Sequence, residues 1–142
     1  MTQDQIERCD ALWRELLADG RVRWMAGMLV RSSNNYHRPA RIESLDGDDY
    51  GLTVIPDADG PVFAAHHEYG IAGSFPREST RPVWTDPATI GCLVAMAREA
   101  TGDAEASCVV YNGRWHCDWH GNETIAETEP EALLLAIQAA TA

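Results

Sequence analysis

The dipeptide Asn112-Gly113 constrains the fold of this chain more than any other feature of the sequence. Asn-Gly is the preferred pair for a two-residue type I′ turn, and segments of alternating residues, 106–111 and 114–120, flank it on both sides. A two-residue turn fixes the register, so that Cys108 is expected opposite Cys117. The sequence therefore predicts an antiparallel β-hairpin at this point.

Alternation along the two strands predicts one apolar face and one polar face, because successive side chains of a strand point to opposite sides. The apolar face would hold Cys108, Val110, Trp115, Cys117 and Trp119. The polar face would hold Ser107, Tyr111, Arg114, His116, Asp118 and His120.

Three further segments show helical periodicity. Residues 3–19 place apolar side chains on one helical face, and Gly20 provides a stop. A second helix is predicted from Asp86-Pro87, where Asp86 can cap the first amides, to Gly102. A third is predicted from about Glu129 to Ala140, and its start, Thr128-Glu129-Pro130-Glu131, has the pattern of a capping box.

Between the first two helices, short β-prone runs alternate with turn signals, as in an antiparallel meander. These runs are Met25–Val30, Ala40–Leu45, Tyr50–Ile55 and Pro61–Ala65, and residues 66–83 are expected to be irregular. The fold class that follows is α+β, with an antiparallel sheet, made of the meander and the Asn-Gly hairpin, covered by three helices. A length of 142 residues predicts a single domain, with a weak subdivision into residues 1–84 and 85–142.

The C-terminal part of the chain resembles a recurring pattern in small phage and prophage proteins of unassigned function. The residues that carry this resemblance are Thr85-Asp86-Pro87-Ala88-Thr89-Ile90-Gly91-Cys92-Leu93-Val94, Arg98-Glu99-Ala100 and Thr128-Glu129-Pro130-Glu131-Ala132-Leu133. Such proteins are similar to phage α-β-α sandwich domains, and the resemblance covers about residues 85–140. It implies a viral origin and a fold, but no activity.

The charge balance excludes several classes of function. The formal net charge is −11, which argues against a generic binder of duplex DNA or of an anionic membrane. All eleven cations are arginines, so lysine-based catalysis is excluded. No apolar run approaches the roughly 18 residues of a membrane span, and the first residues lack the features of a signal peptide. We therefore expect a cytoplasmic protein of a bacterial host with no cofactor. In that setting the cysteines are expected to be thiols, and the alternative is a disulfide between the opposed Cys108 and Cys117 if they are oxidised.

Residues 21–41 contain five arginines and no acid, interleaved with aromatic and amide side chains. Arginine forks match phosphates and aromatic rings stack on bases, so this stretch could form a pocket for a nucleotide signal. The candidate residues are Arg21, Arg23, Trp24, Arg31, Asn34, Asn35, Tyr36, Arg38 and Arg41. Alternatively, these arginines simply pair with the acidic stretch that follows them.

That acidic stretch contains six carboxylates between residues 43 and 59 and no cation. Such a surface could imitate a nucleic-acid backbone and bind a host protein, or it could be a solvated loop. Glu43 is the first of these acids, and the candidates for contact with a protein are the other five, Asp46, Asp48, Asp49, Asp57 and Asp59.

Histidine and cysteine residues suggest a metal site only weakly. His116, Asp118 and His120 have strand spacing, so one histidine and the aspartate could share a metal with help from His66 or His67. A zinc site that combined these histidines with Cys108 and Cys117 is disfavoured, because the cysteines belong to the opposite face. We expect no bound metal.

Two classes of function remain. The first is a non-enzymatic phage or prophage protein that antagonises host defence, as an acidic nucleic-acid mimic that inhibits a host protein or as a protein that sequesters a nucleotide. The second is a metal-dependent hydrolase built on the histidines. The apolar face of the sheet also leaves a homodimer open.

Overall fold

A computed structural model describes residues 1–33, 39–46, 49–54 and 78–140. Within these ranges the chain forms three helices and seven strands. In chain order they are α1 (Gln3–Ala18), β1 (Leu29–Ser32), β2 (Ala40–Asp46), β3 (Asp49–Val54), β4 (Thr80–Pro82), α2 (Pro87–Thr101), β5 (Ser107–Tyr111), β6 (Arg114–Trp119), β7 (Asn122–Ala126) and α3 (Glu129–Ala140). No helix of the described ranges has the length and apolar character needed to cross a membrane.

The chain divides into two compact units, one comprising Met1–Arg23 with Ile90–Ala142 and the other Trp24–Thr89. Among the described strands, the first unit contains a sheet of order β5-β6-β7, and the second contains a sheet of order β3-β2-β1-β4. All described strand pairs are antiparallel. The predicted α+β class is confirmed, with the strands distributed over two sheets.

The core of the first unit lies where α3 packs on α1, β6 and β7. Leu133, Leu134 and Ile137 of α3 face this core, and each is at most 1% exposed. Trp13 of α1 is also fully buried. Because burying an aliphatic side chain of this size contributes roughly 1.5–3 kcal/mol, this apolar contact is a main source of the unit's stability.

The predicted hairpin is confirmed in turn and register. Cys108 pairs with Cys117, and Tyr111 pairs with Arg114 beside the turn. Asn112 and Gly113 have φ angles of 52° and 74°, as a type I′ turn requires.

A second tight turn adds strand β7, which the sequence analysis did not predict. His120 and Gly121 have φ angles of 43° and 78° and connect Trp119 to Asn122, which are paired across β6 and β7. Histidine is one of the few residues besides glycine that adopts this backbone region with some frequency, and His-Gly is a much weaker signal than Asn-Gly.

The capping box predicted at α3 is replaced by a contact with α1. Glu131 accepts a hydrogen bond from Arg8 Nε at 3.2 Å, while the buried Thr128 lies beside the Cys9 thiol. A capping box does occur at α1, where Thr2 and Gln5 bond each other's backbone amides at 3.2 and 2.9 Å. Glu131 therefore binds Arg8, which is distant in sequence, instead of completing the cap of α3.

The second unit is organised around an ion pair between Arg41 on β2 and Asp86, the residue before α2. The two terminal guanidinium nitrogens of Arg41 donate to the two carboxylate oxygens of Asp86 at 2.9 Å. One of these nitrogens also donates to the Gly27 carbonyl at 2.7 Å. Asp86 caps α2 by accepting from the backbone amide of Thr89 at 3.0 Å, as predicted. The Thr89 hydroxyl also donates to Asp86 and accepts from the Leu29 amide.

Two strands of this unit differ from their predicted ranges. Strand β1 begins only at Leu29, because Met25 to Met28 form a turn in which Gly27 has a φ angle of 98°. Strand β4, in the stretch expected to be irregular, pairs with β1 at the edge of the described sheet, where a proline such as Pro82 is tolerated. The predicted strand Pro61–Ala65 lies outside the described residues.

Replacing Asp86 by asparagine should lower the free energy of unfolding by about 2 kcal/mol at neutral pH, because the charged hydrogen bonds to Arg41 are lost. The bonds from Arg41 hold the pKa of Asp86 below its usual value. The contribution is therefore fully present above the unfolded pKa of about 4 and is lost as the pH falls through the lower folded pKa.

Urea unfolding of the wild type and Asp86→Asn across this pH range measures the effect, with Glu105→Gln as an exposed control that should show no such difference. A stability difference that stayed constant down to the lowest pH would contradict this assignment.

Two glycine substitutions should change stability in opposite directions. Gly113→Ala should cost about 1 kcal/mol, because alanine is strained at a positive φ although its Cβ meets no atom. Gly91→Ala in α2 should instead stabilise by about 0.5–1 kcal/mol, because the added Cβ is also unobstructed and the helical backbone loses less entropy. Thermal unfolding of both variants measures these changes, and a Gly113→Ala variant that is not destabilised would refute the turn geometry.

Candidate functional site

The described arginine candidates are divided between the two units, and each forms hydrogen bonds with other groups of the chain. In the first unit, Arg21 donates to the Gln138 carbonyl at 3.2 Å and Arg23 bonds Glu99 at 2.9 Å. In the second unit, Arg41 is held by Asp86. The acids that bind Arg23 and Arg41 thus come from outside the 43–59 stretch.

The remaining candidates of this group are placed as follows. Trp24 is half-buried, and Arg31 donates to the Ser32 carbonyl at 3.4 Å. Asn34, Asn35, Tyr36 and Arg38 lie outside the described residues.

An open depression of about 280 Å³ lies next to Arg21 and Arg23 and is also lined by Met96 and Glu99. A phosphate that entered it would meet the Glu99 carboxylate, which already occupies the Arg23 guanidinium. Repulsion by that carboxylate opposes the binding of an anion, so the depression is a poor site for a nucleotide phosphate.

The acidic candidates lie mostly outside the described residues. Asp48, Asp57 and Asp59 are in the undescribed segments. Asp46 and Asp49 are paired in register at the ends of β2 and β3, and Glu43 is exposed on β2.

The histidine candidates do not converge. His116 Nδ1 lies 3.3 Å from Glu123, and its Nε2 lies 3.2 Å from the Tyr111 carbonyl. His120 instead lies beside Asp103, which accepts its backbone amide at 3.1 Å. His66 and His67 are outside the described residues, and within the described ones no group of three or more His, Cys, Asp or Glu side chains is placed to hold a metal.

None of the four cysteines is in a disulfide. Cys9 and Cys92 are buried in α1 and α2, and burial raises the pKa of Cys9 to about 12. Cys117 is buried, whereas Cys108 is partly exposed.

The outer face of the β5-β6-β7 sheet exposes apolar side chains that the sequence analysis did not select. Val109, His116 and Ile125 lie in one row across the three strands, and Val109 and Ile125 are 53% and 43% exposed. Tyr111 on the same face is 65% exposed, and its ring packs edge-on against His116 with centroids 5.7 Å apart. We call Val109, Tyr111, His116 and Ile125 the outer row.

The outer row was missed because the predicted polar face was derived from the hairpin alone. The alternation places Val109 on this predicted polar face although Val109 is apolar. This departure from the polar pattern is visible in the sequence and indicates an exposed apolar side chain. Ile125 could not be placed because β7 itself was not predicted.

A pair of carboxylates borders the outer row on the same face. Asp118 and Glu123 lie directly opposite each other across β6 and β7. Desolvation, followed by the hydrogen bond and charge of Glu123, raises the pKa of the exposed Asp118. Like charges in directly opposed positions destabilise a sheet, so this arrangement would be relieved by a cation.

In the comparisons with known proteins, no family model, no curated protein and no solved structure matches the chain. The resemblance to phage proteins therefore stays a prediction.

Replacing the apolar members of the outer row should leave stability nearly unchanged. Val109→Thr and Ile125→Thr keep β-branched side chains and should each change the free energy of unfolding by less than about 0.5 kcal/mol, because both sites face solvent. Trp119→Ala, at a site only 7% exposed, should cost about 3–5 kcal/mol. Urea unfolding distinguishes these cases, and a large loss in the threonine variants would show that the row is packed rather than exposed.

Proposed function

We propose that this chain is a non-enzymatic binding protein of phage or prophage origin that inhibits a host protein by binding it through the outer face of the β5-β6-β7 sheet. The observation that carries the proposal is the exposure of the outer row. The solvent-facing side of a sheet usually carries polar side chains, whereas this face presents β-branched and aromatic side chains to water.

The composition of this face favours a protein partner. Val109, Tyr111 and Ile125 offer a rigid apolar and aromatic surface, and tyrosine is enriched in protein interfaces because it contributes area at low entropic cost. Val110 near the hairpin tip is also 57% exposed and extends the apolar surface to the other side of the strand.

The charges beside the outer row favour a basic partner. Asp118 and Glu123 present two opposed carboxylates, and the chain carries a net charge of −11. A lysine or arginine of the partner would relieve the repulsion between them while apolar groups cover the row. Host proteins that bind nucleic acid have such basic surfaces, so the proposed action is that of an acidic competitor of nucleic acid.

Affinity capture with matched variants tests this proposal. The immobilised wild type should retain basic proteins from a nuclease-treated bacterial lysate, and Val109→Gln with Ile125→Gln should lower the retained amount at least about tenfold, as for the loss of a central contact. Leu45→Gln is the matched control, because Leu45 on β2 is equally exposed at 42% and lies outside the outer face. Equal capture by the double variant and the wild type would refute the proposed surface.

The electrostatic part of the proposal has its own readout. Capture by the wild type should fall as sodium chloride rises from about 0.1 to about 1 M, because the Debye length shrinks from about 10 to about 3 Å. The double variant Asp118→Asn, Glu123→Gln should capture less protein and lose part of this salt dependence. It should also unfold at a higher urea concentration, because the repulsion between the two carboxylates is gone. Salt-independent capture would exclude a basic partner.

A further inference from the structure

Cys108 on β5 and Cys117 on β6 lie directly opposite each other. Tyr111 and Arg114 flank the two-residue turn and form its closing hydrogen-bonded pair; since pair types alternate along an antiparallel ladder, the cysteines form a non-hydrogen-bonded pair. Opposite residues in such a pair have Cα atoms about 4.5 Å apart and side chains on one face. Disulfides span Cα separations of about 4.4–6.8 Å, so these thiols can be joined without moving the backbone far.

The two thiols differ in access. Cys117 is 0% exposed, whereas Cys108 is partly exposed. Strand β5 is an edge strand of the sheet within the described residues, and α3 packs mainly on β6 and β7. A reagent in solution therefore reaches Cys108, and only Cys108 can then reach Cys117.

The thiols are also coupled chemically. The Cys108 thiol donates a hydrogen bond to Cys117, which raises the pKa of Cys108 and lowers the pKa of Cys117. A thiol that hydrogen bonds a neighbouring thiolate favours loss of the first proton from the pair, and the thiolate is the form that attacks a disulfide.

We propose that Cys108 and Cys117 form a redox-active dithiol, which a low-molecular-weight disulfide such as oxidised glutathione converts into a cross-strand disulfide. This inference does not depend on the proposed protein partner. It assigns a modification site to the hairpin.

The reaction proceeds by two exchanges. The proton of the hydrogen bond moves from Cys108 to Cys117, and the Cys108 thiolate then attacks one sulfur of oxidised glutathione. The S–S bond breaks and releases one glutathione, which takes up the proton that the pair had lost. The Cys117 thiolate then attacks Sγ of Cys108 and releases the second glutathione, which takes up the proton of Cys117. Two electrons pass from the cysteines to the oxidant, and no other reactant is needed.

Cys9 and Cys92 provide internal controls, because both are buried on helices rather than opposed across strands. Cys9 is 0% exposed, so a reagent in solution does not reach it. The variant Cys9→Ala with Cys92→Ala retains only the proposed dithiol.

The test exposes the folded, full-length wild type to glutathione buffers of increasing oxidised fraction, followed by acid quenching, alkylation, intact-mass measurement and peptide mapping. The wild type and the Cys9→Ala, Cys92→Ala variant should each lose the mass of two hydrogen atoms through a bond that maps to Cys108 and Cys117. Cys117→Ser should instead stop as a glutathione adduct on Cys108, and Cys108→Ser should stay reduced.

The wild-type result alone decides the proposal, so it does not depend on whether the single serine variants fold. A wild type that stays fully reduced while oxidised glutathione is in large excess would overturn it. So would a stable glutathione adduct that Cys117 does not resolve, or a disulfide that maps to Cys9 or Cys92.

Discussion

The ion pair between Arg41 and Asp86 is the interaction on which the organisation of the second unit depends. The ion pair is bidentate. The same aspartate caps α2 by accepting a hydrogen bond from the Thr89 amide, and the Thr89 hydroxyl accepts one from the Leu29 amide of β1. One carboxylate therefore fixes β1, β2 and the start of α2 together. Arginine suits this position better than lysine, because its planar fork can bond both carboxylate oxygens and a backbone carbonyl at once.

Most of the local structure could be predicted from the sequence, whereas most hydrogen-bond and ion-pair partners of the charged side chains could not. The hairpin, its register and the three helices follow from signals within a few residues, such as Asn112-Gly113 and the cap at Asp86. Strand β7 was missed because its turn uses histidine at a positive φ. The cap expected at Thr128 failed because Glu131 binds Arg8, and no local pattern indicates a partner more than a hundred residues away.

The candidate site shows the same division. Segregated charge in residues 21–59 suggested an arginine pocket, but Arg23 and Arg41 bind Glu99 and Asp86, which lie far along the chain. The outer row appears only when three strands are aligned, because Val109 and Ile125 are sixteen residues apart in sequence and become neighbours through His116. Periodicity within one strand cannot reveal a surface that is assembled across strands.

The two tight turns around β6 have a consequence for how the chain acquires its structure. Asn112-Gly113 and His120-Gly121 connect β5, β6 and β7 through two-residue loops, so that this sheet is built from contacts close in sequence. The ion pair of the second unit instead closes a loop of more than forty residues. Since closing a longer loop costs more chain entropy before any contact forms, we expect the three-stranded sheet to assemble first and the second unit to set the rate of folding.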